Sequence, residues 1–138
     1  MSTTDVSAKD VMALRKKTGL GMMDCKKALI DAGGDAAAAE EALREKLKGK
    51  MDTRADRAAG EGCISIAIDG GNAAIIEMRA ETDFTARNDS FRALAESIAK
   101  ASLSGPDGEV TMDDALTKEL DEVRITTGEN ISMARGTK

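Results

Sequence analysis

Gly62-Cys63-Ile64-Ser65-Ile66-Ala67-Ile68-Asp69-Gly70-Gly71-Asn72-Ala73-Ala74-Ile75-Ile76-Glu77-Met78-Arg79-Ala80 is the stretch in which the chain changes its period. Before it, apolar residues recur every three or four positions. Within it they recur every two: Ile64, Ile66 and Ile68 alternate with Ser65 and Ala67, and Ile76, Met78 and Ala80 alternate with Glu77 and Arg79. Successive side chains of a strand point to opposite faces, so this alternation predicts two strands with one buried and one wet face. The buried face takes the three isoleucines of the first strand together with Ile76, Met78 and Ala80 of the second. Asp69-Gly70-Gly71-Asn72 supplies the turn, because Gly and Asn accept positive φ at low steric cost.

Upstream, residues 7–48 read as three short helices. Ser7-Ala8-Lys9-Asp10 matches a capping box, with Val6 and Val11 spaced as a hydrophobic staple across it. Val11 and Leu14 face inward, and Gly19 ends the first helix as a left-handed cap. Cys25, Ala28, Leu29 and Ala32 form the stripe of a second helix that starts near Met23-Asp24 and stops at Gly33-Gly34. Asp35 caps a third, with Ala39, Ala42, Leu43 and Leu47 inward. Residues 51–61, charged and without apolar period, read as a linker that is partly helical.

Downstream of the hairpin the helical period returns at Phe91, Leu94, Ala95 and Ile98, and Gly105-Pro106 breaks it. Thr111-Met112-Asp113-Asp114 matches a second capping box, opening a helix through Leu116, Leu120 and Val123 that Gly128 ends. Ile131 and Met133 alternate like a third strand. The fold class expected is α+β: a three-helix bundle over 1–50, a linker over 51–61, and a small three-stranded antiparallel sheet packed against helices over 62–138.

Composition narrows the function. The aromatic share is 1%, and there is no His, which removes the commonest general base and zinc ligand. There is no Ser/His or Cys/His pair and no phosphate loop of the G-x-x-x-x-G-K type. Asp113-Asp114 sit at a helix start, where acids favour the dipole. No enzyme, cofactor or metal site is expected. Residues 1–56 hold 11 Lys and Arg against 10 Asp and Glu, while residues 57–138 hold 9 against 15. With a net charge of -5, a general nucleic-acid binder is disfavoured, since phosphate neutralisation needs clustered cations. Cys25 and Cys63 read as buried free thiols of a reducing compartment. There is no signal-type apolar run and no stretch of membrane-span length, so a cytoplasmic protein is expected.

Two stretches remain as candidate contact sites. Leu20, Met22 and Met23 lie between two helices and either fold into the bundle core or form an adaptable exposed patch. Glu81-Thr82-Asp83-Phe84-Thr85-Ala86-Arg87-Asn88 holds one of only two Phe in the chain. Either Thr82 or Asp83 caps the next helix with Phe84 packed beneath it, or Phe84 is an apolar wedge with an adjacent carboxylate. The wedge suits an interface anchor, and its carboxylate can compete for a metal ion held by the partner.

Thr18-Gly19-Leu20-Gly21-Met22-Met23-Asp24-Cys25-Lys26-Lys27-Ala28-Leu29 resembles the N-terminal signature of the translation elongation factor Ts family. Glu81 to Asn88 resembles its second signature, Gly128-Glu129-Asn130-Ile131 a third, and Arg57-Ala58-Ala59-Gly60-Glu61-Gly62 the entry to its core domain. The resemblance implies a bundle similar to ubiquitin-associated domains and a guanine-nucleotide exchange factor for the GTPase elongation factor Tu. It implies a partner-binding set of Arg15, Leu20, Met22, Met23, Thr82, Asp83 and Phe84. The first group meets a helix of the GTPase domain; Asp83 and Phe84 enter near its Mg²⁺ site. Thr127 and Thr85 stand where the family usually has Ile and Val, and Thr85 makes the flank of the wedge more polar. Many members continue into a second core subdomain; others have one and pair as dimers, so a homodimer is a further partner. Gly136-Thr137-Lys138 resembles a cut within a longer chain. The alternatives are a module that binds the GTPase without exchange activity and a ubiquitin-type adaptor.

Overall fold

A computed structural model describes residues 5–138; the first four residues of the expected bundle lie outside it. The chain forms two compact units that part between Lys50 and Met51.

The first unit contains α1 (Ala8–Thr18), α2 (Met22–Asp31) and α3 (Ala36–Asp52), whose last turn crosses the division. Ser7 caps α1 by accepting from the Asp10 N–H, and its hydroxyl donates to Asp10 Oδ2 at 2.7 Å. Gly19, at φ 72°, closes the helix by donating to the Arg15 carbonyl. Asp35 Oδ1 accepts from the N–H groups of Ala37 and Ala38 and so starts α3. Val11, Leu14, Cys25, Ala28, Leu29, Ala39 and Leu43 form the core, with Val6, Leu20 and Ala32 packed on its margin. Ala42 is exposed and Leu47 half-buried, so the inward stripe of α3 is narrower than its period predicts. Both line an open groove of about 600 Å³ between α2 and α3.

The second unit is a three-stranded antiparallel sheet in the order β1 (Glu61–Asp69), β2 (Asn72–Ala80), β3 (Ser132–Thr137). One face is covered by α4 (Asp83–Ala86) and α5 (Asp89–Ser102), and α6 (Asp114–Thr127) packs against α5. Phe91, Leu94, Ala95, Ile98 and Ala99 of α5 are buried in one core with Ile76, Met78 and Ala80 of β2. The small Ala95 and Ala99 let the helix lie close to the strands. At Gly62 a Cβ would overlap the Met78 carbonyl, so the entry of β1 requires a residue without a side chain. Asp113, not Thr111, caps α6 by accepting from the Leu116 N–H; the helix starts later than the capping-box match predicts, because Asp113 itself supplies the acceptor.

The faces of β1 are the reverse of the expectation. Cys63, Ser65 and Ala67 point toward α5, while Ile64, Ile66 and Ile68 are exposed at 58, 62 and 73%. The register explains this. Cys63 pairs with Met78, Ser65 with Ile76 and Ala67 with Ala74, and directly opposed residues share a face. The second strand carries the larger buried side chains, so the first strand turns its small residues inward. The isoleucines share the outer face with Ala73, Ile75 and Glu77. Cys63 is only half-buried, unlike Cys25, and burial pushes its thiol pKa up against the opposing pull of Arg92.

The segment read as a linker is bonded to the second unit. Arg54 Nη1 donates to the Gly128 carbonyl at 2.8 Å, and Asn130 Nδ2 donates to the carbonyls of Ala55 and Arg57 at 3.2 and 2.7 Å. Among the described residues no helix is long and apolar enough to cross a membrane.

Candidate partner interface

Each unit presents a surface built around the residues singled out in the sequence. In the first, the tight cap at Gly19 turns the chain so that Leu20 falls inward while Met22 and Met23 open α2. Thr18 Oγ1 donates to the Leu14 carbonyl at 2.8 Å and accepts from the Leu20 N–H at 3.4 Å, fixing the turn. Leu20 is half-buried on the bundle core, whereas Met23 is 74% exposed and Met22 45%. The three residues therefore divide, one serving the core and two the surface. Arg15 is exposed in the last turn of α1, and Met12, exposed three residues earlier, shares its face. The sequence does not single out Met12, because one Met on a helix carries no signal of direction.

In the second unit the sheet gives way to α4 at Thr82. Thr82 holds extended backbone, and its hydroxyl accepts from the Thr85 N–H at 3.3 Å, the cap of a single helical turn. Thr85 and Ala86 are buried on that turn; Asp83 and Phe84 point the other way. Phe84 is 84% exposed, against 0% for Phe91. Arg87 lies 3.8 Å from the Asp83 carboxylate, an exposed pair that water screens.

The turn is gripped from the far end of the unit. Glu129 Oε1 accepts from the N–H groups of Glu81 and Thr82 at 3.0 and 2.9 Å. Its Oε2 accepts from the hydroxyls of Thr82 and Thr85 at 2.8 and 2.5 Å. In return Glu81 Oε1 accepts from the Asn130 N–H at 2.8 Å. Burial raises the Glu129 pKa, but the Thr85 and Thr82 hydroxyls and the two N–H groups outweigh it and hold the carboxyl below its usual range. The hydroxyl of Thr85 thus faces the carboxylate and not the flank of the wedge, contrary to the expectation of a more polar rim. Thr127 is half-buried, its hydroxyl donating to the Val123 carbonyl at 2.7 Å in the last turn of α6.

The arrangement is a protrusion and not a pocket: an aromatic ring beside a carboxylate, on a base that cannot easily rotate. Among the described residues no group of three or more His, Cys, Asp or Glu is placed to hold a metal ion.

No protein-family model matches the chain. Curated proteins do. The chain is 42% identical to an elongation factor Ts of Rhizobium rhizogenes over 144 aligned positions, which cover 98% of this chain and 46% of that one. It is 41% identical to the elongation factor Ts of Hyphomonas neptunium, over 97% of this chain and 48% of the relative. It is 44% identical to that of Treponema denticola, over 95% and 46%. This chain belongs to the elongation factor Ts family. It spans about half the length of the curated relatives it matches. The matches cover 95% or more of this chain and so span both units.

Proposed function

We propose that this chain serves translation elongation as a guanine-nucleotide exchange factor, acting on the GTPase elongation factor Tu. The observation that carries the reading is Phe84, a fully presented ring beside Asp83 on a turn bonded at both ends. An aromatic ring beside a carboxylate, held on a turn that is fixed from below, has the form of an interface anchor. Membership of the elongation factor Ts family supplies the partner.

In this reading Arg15, Met22 and Met23 dock on a helix of the GTPase domain, with Leu20 holding their loop from below. Thr82 fixes the turn, and Asp83 and Phe84 press toward the Mg²⁺ and phosphate site. The ion neutralises phosphate charge and contributes much of the nucleotide's affinity, so disturbing its ligands releases GDP without contact to GDP. Thermodynamic linkage requires the same result: a factor that binds the nucleotide-free partner more tightly weakens GDP binding by the same ratio. No side chain of this chain takes part in a covalent step.

Release of a fluorescent GDP analogue from the GTPase, chased with excess GDP, tests the proposal. Acceleration that rises with the concentration of this chain is the expected result. Binding with an unchanged release rate would reduce the function to docking, and no binding would remove both.

A further inference from the structure

We propose that Glu129 is a positioning residue, whose carboxylate sets the direction in which Asp83 and Phe84 are presented. The inference rests on the exchange reading above, and it adds a residue that never meets the partner's nucleotide. Glu129 follows the Gly128 cap of α6 and lies 47 residues from Thr82 in sequence. It accepts four hydrogen bonds, two on each oxygen, and all four donors belong to the turn that carries the ring. Those donors bracket Asp83 and Phe84: Glu81 and Thr82 precede them and Thr85 follows. α4 has only four residues, too few to hold its own shape in water. Its geometry comes from the carboxylate beneath it.

The grip is reciprocal and braced. Glu81 Oε1 receives the N–H of Asn130, and the Asn130 side chain donates to the carbonyls of Ala55 and Arg57. The third matching segment, Gly128 to Ile131, thereby acquires a role in the second: it is the base on which the wedge stands. A carboxylate suits the task because it only accepts, and every facing group here donates. An amide of the same shape would have to turn its NH₂ to the two hydroxyls and reverse them into acceptors, and it would lose the charge that strengthens all four bonds.

The experiment combines two readouts. In the free protein, amide hydrogen exchange at Glu81 and Thr82 is followed in wild type and in Glu129→Gln, with a circular-dichroism melt as the folding control. Faster exchange at these amides, with exchange in α5 unchanged, is expected. With the GTPase, Glu129→Gln and Glu129→Ala lower the maximal rate of nucleotide release by about ten- to a hundredfold, the scale of a misplaced group, while half-saturating concentration moves little. In the Asp83→Ala/Phe84→Ala background, Glu129→Ala has no further effect, because it acts through those two side chains. Unchanged amide protection in Glu129→Gln would overturn the proposal, as would equal losses in both backgrounds. If wild type failed to accelerate release, the exchange reading would fall, and the amide data would still decide whether Glu129 fixes the turn.

Discussion

Ile66 of β1 stands directly opposite Ile75 of β2 on the outer face of the sheet, both exposed, with Ile64 and Ile68 alongside. Apolar side chains gathered on one open face mark a contact surface, whereas single exposed ones do not. Replacing Ile66 by Thr should leave stability within about 0.5 kcal/mol, as for surface positions generally. Ile76→Ala, one residue further along β2 and fully buried, should cost about 2–5 kcal/mol. Chemical denaturation of both variants checks the contrast. Sedimentation velocity over a range of concentrations checks the surface: self-association in wild type, reduced in Ile66→Lys, would show that a second copy covers this face.

The reversed strand shows how far the sequence can be read. Alternation along β1 and β2 is legible, and so is the turn. The direction of β1 is not, although the turn contains it. With Asp69 opposite Asn72, even-numbered residues of β1 face odd-numbered residues of β2. The isoleucines at 64, 66 and 68 therefore cannot share a face with Ile76 and Met78. Both strands offer an apolar series, and only the packing of α5 decides between them. Helix caps at Ser7, Asp35 and Gly128 are legible because capping is local. The motif singles out Phe84, but period does not determine its exposure. The hold of Glu129 on Thr82 is invisible in the sequence, since no local pattern links residues so far apart in the chain.

Phe84 and Phe91 should respond oppositely to truncation. Phe91 is fully buried among Ile76, Met78 and Leu94 in the core of the second unit. Phe91→Ala should cost about 3–5 kcal/mol. Phe84→Ala removes a ring already in water and should cost well under about 1 kcal/mol while suppressing nucleotide release. Thermal melts beside release rates separate the two. A large loss of stability in Phe84→Ala would return that ring to the fold.

Gly62 should tolerate no side chain. A Cβ at this position would meet the Met78 carbonyl and lie 3.1 Å from the Arg79 Cα, both backbone and unable to swing away. Gly62→Ala must push β1 off β2 at its first pairs, with an expected loss of about 1–3 kcal/mol, the range for overpacking. Gly71→Ala, with open space around it, is the control and should stay within about 0.5 kcal/mol.

Acid should weaken the hold of Glu129 on the turn. Glu129 has its pKa lowered in the folded chain from an ordinary value of 4.5; burial opposes the shift, and the Thr85 and Thr82 hydroxyls with the two N–H groups prevail. A depressed folded pKa means that the ionised form binds the fold more tightly. Its contribution is therefore fully present above the ordinary value and is lost as pH falls from there through the lowered one. Glu40, lowered chiefly by the hydrogen bond from Lys17, and Glu77, lowered chiefly by that from Arg135, lose support in the same direction. Glu129→Gln should consequently be less stable than wild type at neutral pH, with the difference shrinking as pH drops below the usual carboxylate range. Denaturation midpoints at successive pH values measure this. A gap between the two proteins that stayed constant down to the acid transition would mean that the Glu129 charge takes no part in holding Thr82.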